Sequence, residues 1–196
     1  MAKEALLRFG KPLLIVAAML PLAALIYAAL NNGLGTDPVK ALIVETGEWA
    51  LWLLLACFAV SPLRSWFGAA WLLRFRRTLG LLAFFYVSLH LVVVSNYLFF
   101  WDWAVVGEEL SERPYIIAGF SAWLLMLPMA VTSNNWSVRR LRRSWRRVHM
   151  LMYPIMLLAW LHIAWQVRSS YFDAIVYGLI IFSLFLQRVK KLRKSC

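Results

Sequence analysis

The feature that most constrains this chain is a succession of apolar runs, each approaching the ~20 residues that an α-helix needs to cross a bilayer. Six such runs fall at about 13–30, 42–60, 79–100, 115–131, 148–165 and 174–186, with short polar segments between them. Inside hydrocarbon every backbone N–H and C=O needs a partner, and a helix supplies all of them within one segment. The residues are 63% hydrophobic with a mean hydropathy of +0.70, more apolar than a water-soluble core requires. The expected fold is therefore all-α: a polytopic membrane protein, a six-transmembrane-helix bundle, one domain over residues 1–196. The first run lacks a small-residue cleavage site and is followed by further spans, which predicts that it is retained. Pro21 is expected to kink the first span, and Ser61-Pro62 to end the second. Gln187 and a snorkelling Arg188 are expected to extend the short sixth span.

The polar segments set the orientation. Eighteen of the 21 Lys and Arg residues lie before the first span, between spans two and three, between spans four and five, or after the last. The other side carries Lys40, Arg113 and Arg168, together with eight of the nine acids: Asp37, Glu45, Glu48, Asp102, Glu108, Glu109, Glu112 and Asp173. By the positive-inside rule both termini are cytoplasmic, as an even number of spans requires. Trp66, Trp101, Trp103 and Trp165 fall near span ends, where interfacial anchors belong. A net charge of +12 distributed this way addresses lipid headgroups, not nucleic acid.

Sequence motifs for soluble chemistry are missing. There is no dinucleotide fingerprint, P-loop, carboxylate pair or repeat of 20–50 residues. Cys57 lies inside a span and Cys196 at the terminus, so neither a disulfide nor an iron–sulfur site is expected. The titratable groups within the spans are chiefly histidines, and an intramembrane imidazole is costly unless it has a partner. His90 follows Arg77 by 13 residues and His162 follows Arg147 by 15, depths of about 20 and 22 Å at 1.5 Å per residue. Both spans run outward, so the two imidazoles reach one level in the outer half of the membrane. Two helices offering imidazole at one depth suit a porphyrin held edge-on, its iron taking one nitrogen from each side. Zinc would need three or four ligands, and no further ligand stands at that depth. Bis-histidine ligation leaves no open position on the iron, so single-electron transfer is the expected role. Leu89, Leu91, Val93, Leu161 and Ile163 flank the ligands as packing for the haem faces, or equally as lipid-facing or core residues.

His149 lies near the cytoplasmic surface, and three readings of it stay open. It ligates a second haem with a non-histidine partner, serves as an alternative ligand, or is simply an interfacial histidine. No histidine precedes His90 by 13 or 14 residues; Arg77 and Arg76 stand there. On a straight helix His149 and His162 would point about 140° apart, though Pro154 between them breaks a backbone bond. Arg74, Arg76, Arg77 and Arg143 are candidate contacts for haem propionates or a flavin phosphate, alongside their ordinary role as topology determinants. Glu45 and Glu48 read as hydrated interface residues, or as groups exchanging protons with a quinol. A rival reading, a small transporter with structural histidines, would need a polar pathway through the bundle, and the spans hold few charges to build one.

Four segments, "TGEWALWLLLACFAVSPLR", "RRTLGLLAFFYVSLHL", "ERPYIIAGFSAWLLMLPMAVTSNNW" and "WRRVHMLMYPIMLLAWLHIAW", together resemble the MsrQ (YedZ) family of the ferric-reductase-like transmembrane superfamily. The resemblance runs in order from about Thr46 to Trp165. It rests on the histidine positions, on Arg-Pro-Tyr before span four and on Thr-Ser after it. It implies haem b with His90 and His162 as axial ligands, His149 as the third family histidine, and a place in the bacterial inner membrane. It implies electrons from the quinone pool or a cytoplasmic flavin reductase, passed to the periplasmic molybdoenzyme MsrP, which reduces methionine sulfoxide in oxidised envelope proteins. Catalysis would then lie in the partner. FMN is associated with the family, with no local motif here to place it. A transmembrane cytochrome b reducing another external acceptor, metal or quinone, is the alternative within the same class.

Overall fold

The computed structural model describes residues 2–166 and 171–193, with side chains from Phe9 to Arg188. Arg168, Lys194 and Cys196, and the side chains of Lys3, Arg8, Lys190, Lys191 and Arg193, lie outside the described part. All regular structure there is helical: α1 (Ala2–Leu30), α2 (Pro38–Phe67), a 3₁₀ turn (Ala70–Leu72), α3 (Leu73–Tyr97), α4 (Trp103–Glu112), α5 (Pro114–Val131), α6 (Asn135–Leu141), α7 (Arg143–His149), α8 (Met152–Gln166) and α9 (Phe172–Arg193). Among the described residues five segments are long and apolar enough to cross a membrane, in α1, α2, α3, α5 and the α7–α8 pair. The expected sixth span lies within α9.

Two antiparallel pairs, α2 with α3 and α5 with α8, make the densest helix contacts and form the centre. The second helix is the most enclosed of the five spans and the first the least. The core runs along α2 and α3 through Leu54, Phe58, Ala83 and Tyr86, and meets Met126 of α5 and Ile155 and Met156 of α8. Large apolar residues on the outside, such as Leu13, Leu20, Leu124, Leu157 and Leu179, are exposed. Lipid solvates such side chains where water would not. Trp123 Nε1 donates to Ser88 Oγ at 3.1 Å, joining α5 to α3. Tyr86 donates to the Ala18 carbonyl at 2.6 Å, which fastens α1 to the bundle.

Several boundaries differ from the sequence reading. Ser61-Pro62 does not end α2, which continues to Phe67 and stops at Gly68 in the left-handed conformation (φ 62°). Proline at 62 cannot donate to the carbonyl four residues back, that of Phe58. Arg188 of α9 supplies the missing donor through Nη2. Its guanidinium lies over the Phe58 ring, 3.9 Å from the centroid, and 5.5 Å from that of Tyr153. Arg188 therefore turns inward and does not snorkel, because a vacated carbonyl and two aromatic faces offer it a site in the bundle. Pro21 sits inside an α1 that remains one continuous helix.

The expected fifth span is two helices. The chain breaks at Met150 and Leu151, between α7 and α8. Pro154 falls in the first turn of α8, where a missing N–H leaves no helical bond unmade. His149 and His162 are thus on separate helices, and the straight-helix azimuth between them does not apply. The loop before α5 holds an unforeseen short helix, α4, whose N-cap is Asp102 accepting from Ala104 N at 2.8 Å.

Candidate functional site

The two central pairs bring His90 of α3 and His162 of α8 opposite each other. Their ring centroids are 6.3 Å apart and their planes stand at 87°. Each ring is oriented by its own hairpin partner. His90 Nδ1 lies 3.0 Å from the Ile43 carbonyl of α2. His162 Nδ1 lies 2.7 Å from the Tyr115 carbonyl of α5. A carbonyl only accepts, so in both rings the Nδ1 carries the proton and donates it. That leaves Nε2 of each, a lone-pair donor, as the nitrogen available to a metal.

Both carbonyls sit inside helices and already point toward the residue four positions on. A ring sharing such an oxygen has to lie against that residue. The residues there are Gly47 and Gly119. A Cβ on Gly119 would stand 2.7 Å from His162 Nδ1 and 2.9 Å from its Cε1, and one on Gly47 would stand 3.2 Å from the same two atoms of His90. Glycine is required at 119 because the space of its Cβ belongs to the imidazole. Thr46 Oγ1 adds a contact at 3.3 Å to His90 Nδ1. Sequence reading missed Thr46, Gly47, Tyr115 and Gly119. Helical carbonyls and glycines carry no chemical signature until the opposing ring is in place.

The start of α5, which presents the Tyr115 carbonyl, is itself fixed. Pro114 occupies the first helical turn. Arg113 Nε pairs with Glu109 Oε2 at 2.9 Å, and Nη1 reaches the Tyr115 hydroxyl at 3.5 Å. That hydrogen bond, helped by the nearby carboxylates of Glu109 and Glu112, raises the pKa of Arg113 above its ordinary value and keeps it charged.

A second feature lies toward the arginine-rich end. A partly open cavity of about 190 Å³ is lined by α2, α3, α5, α6, α7 and the start of α8, and His149, Arg76 and Arg77 border it along with Gly80, Phe84 and Met129. The His149 ring stacks on Trp145 (centroids 3.8 Å, planes 26°), and its Nδ1 lies 3.1 Å from the Trp145 carbonyl. Arg77 also donates to Asn135 Oδ1 at 3.0 Å. Arg74 and Arg143 are exposed and do not line this cavity. Glu45 and Glu48 are exposed as well. Among the described residues no three His, Cys, Asp or Glu side chains gather as a metal cluster.

Residues 46–160 match the ferric reductase like transmembrane component family. A protein of Xanthomonas axonopodis pv. citri, a protein-methionine-sulfoxide reductase heme-binding subunit MsrQ, is 44% identical over 188 residues, covering 93% of this chain and 86% of that protein. The MsrQ of Xanthomonas campestris pv. campestris (strain 8004) is 48% identical over 161 residues, 82% of this chain and 74% of its own. That of Caulobacter vibrioides is 38% identical over 181 residues, 92% and 86% respectively. The chain belongs to the MsrQ family. It is a membrane protein of the ferric-reductase-like transmembrane class, with the all-helical fold its apolar runs predict. No solved structure matches this chain. The family match spans residues 46–160, so it takes in Gly47, Gly119, His90 and His149 and ends two positions before His162.

Proposed function

We propose that this protein is the haem-carrying membrane subunit of a methionine sulfoxide reductase system, with haem b held by His90 and His162. The observation that carries the reading is the imidazole pair. Imidazole nitrogens about 2 Å from a shared metal ion, with a ring centre roughly 1 Å behind each nitrogen, would stand about 6 Å apart between centroids. The spacing of the two rings is 6.3 Å, and both are held in the tautomer that frees Nε2. The donor set therefore fits an iron that would be held by one imidazole nitrogen from each helix pair. Haem bound there would supply a reversible one-electron couple, with His90 and His162 as the residues that would hold it. The protein's own part is to hold the two rings, exclude water from between the hairpins and keep the site near one membrane face.

In this reading residues 1–196 form one domain of six spans, both termini cytoplasmic, in the bacterial inner membrane. The ligand pair lies toward the periplasm, within reach of a molybdenum reductase of the MsrP type, where methionine sulfoxide would be reduced. The donor is the quinone pool or a cytoplasmic flavin reductase. The arginine-rich cavity is the place for an intermediate carrier, FMN or a second haem using His149, with Arg76 and Arg77 on its anionic groups. Its 190 Å³ is below the roughly 300–1,000 Å³ of ordinary ligand pockets. Met126, Met129 and Met152 in its wall are flexible enough to give way. Arg74 and Arg143 act at the headgroups in this arrangement.

The test is a visible spectrum with haem stoichiometry on purified, haem-supplemented protein. Low-spin six-coordinate haem is expected, lost in His90→Ala and in His162→Ala. Absence of a Soret band in the parent protein would remove the proposal. His149→Ala measured alongside reports the second carrier: a fall from two haems to one assigns His149 as a ligand, and unchanged stoichiometry leaves it out of haem binding.

A further inference from the structure

The two ligand shells repeat. His162 follows His90 by 72 positions, as Tyr115 follows Ile43 and Gly119 follows Gly47. Each histidine lies 47 positions after the carbonyl it bonds. Buried positions keep the same register: Ala50 with Ala122, Leu54 with Met126, Ala83 with Ile155. The bundle centre is thus two copies of one device, a helical carbonyl, a glycine one turn on, and an imidazole from the returning helix. Among the described residues the equivalence breaks beside each histidine: Tyr115, the counterpart of Ile43, sets its ring 5.8 Å from that of His162, and a hydroxyl at position 46 faces His90. Position 46 is Thr and its counterpart, 118, is Ala, both buried.

Thr46 lies 2.7 Å from the Leu42 carbonyl and 3.2 Å from that of Ile43. A hydroxyl has one proton, and the shorter contact takes it, as threonine commonly does with the carbonyl four residues back. The oxygen then faces His90 Nδ1 at 3.3 Å with a lone pair. The His90 Nδ1–H is shared between two acceptors, Ile43 O and Thr46 Oγ1, while His162 has the Tyr115 carbonyl on its Nδ1. We propose that Thr46 is a positioning residue that makes the two axial imidazoles inequivalent, by giving the His90 Nδ1–H a second acceptor. The inference rests on His90 and His162 being the haem ligands. An added acceptor on Nδ1–H draws the proton away from the ring and makes Nε2 the stronger donor, which favours ferric over ferrous iron.

Thr46→Val keeps the shape and removes the hydroxyl; Thr46→Ser keeps the hydroxyl. Redox titration and low-spin EPR are compared on haem-loaded parent, both variants and His90→Ala. The expected result is an upward shift of the midpoint potential with altered g-values in Thr46→Val, and values returned to the parent in Thr46→Ser. Haem loss in Thr46→Val with retention in Thr46→Ser also supports a hydroxyl that holds the ring. A Thr46→Val protein with the parent's potential and g-values, a downward shift, or equal loss of haem in both variants overturns the inference. If His90→Ala keeps the parent spectrum, the ligand assignment falls and this inference with it. If His90→Ala abolishes the spectrum while Thr46→Val changes nothing, only the role of Thr46 falls.

Discussion

At Gly119 one added methyl group would stand inside the contact distance of the His162 ring, and the ring cannot retreat because the Tyr115 carbonyl holds it at 2.7 Å. Gly47 leaves more room, since its Cβ would meet His90 at 3.2 Å, a gap that a few tenths of an ångström can relieve. The two glycines therefore differ in tolerance although their roles match. Gly119→Ala is expected to weaken haem binding about 10-fold or more, the scale at which loss of an orienting partner acts on a metal ligand. Gly47→Ala should cost much less. Haem titration into the apo-proteins gives the two affinities, and an equal loss would refute this account. The planes of the two rings make a second residue-scale expectation. If His90 and His162 hold the proposed haem, rings crossed at 87° would leave the iron's d orbitals more nearly degenerate than parallel ones, which predicts a strongly anisotropic low-spin EPR signal.

Within the helices, proline and arginine form an interlocked pair. Pro62 leaves the Phe58 carbonyl without its helical donor, and Arg188 of α9 fills the gap while covering the Phe58 ring. A hydrogen bond from a charged donor contributes roughly 1.5–3 kcal/mol. Arg188→Ala is expected to destabilise the protein by about 2 kcal/mol, read from the denaturant midpoint in detergent. Pro62→Ala restores an N–H to α2 and makes Arg188 less necessary. A double-mutant cycle should show coupling of about 1 kcal/mol between the two sites, within the range seen for contacting residues. Strict additivity would mean that Arg188 acts independently of the carbonyl.

For the whole molecule, charge asymmetry and bundle geometry make a joint statement about direction. The His90–His162 pair lies toward the acidic α4, and the cavity with His149 toward the basic α6 and α7. If the positive-inside rule holds, Ser111→Cys, in the exposed end of α4, reacts with an impermeant thiol reagent in intact cells opened to the periplasm. Ser144→Cys, in α7, should react only after the membrane is permeabilised. Both are made with Cys196→Ser; Cys57 is buried and hydrogen-bonds to the Arg76 carbonyl at 3.4 Å. The reversed labelling pattern would invert the proposed electron path.

The linear order of residues was enough for the helical membrane class, because apolar runs of bilayer length admit little else, and it was enough to single out the histidines, because unpartnered imidazole is costly in hydrocarbon. It also gave His90 and His162 a common depth, since helix rise is constant. What the bundle alone decided were the interactions between helices. Ser61-Pro62 reads locally as a stop, yet α9 repairs the carbonyl and α2 continues. His149 and His162 read as one helix, yet the chain breaks at Met150 and Leu151 and sends His149 to a separate cavity. The glycine-backed carbonyls that orient both rings are 47 positions from them, and a backbone oxygen becomes a ring-orienting group only when another helix places an imidazole against it.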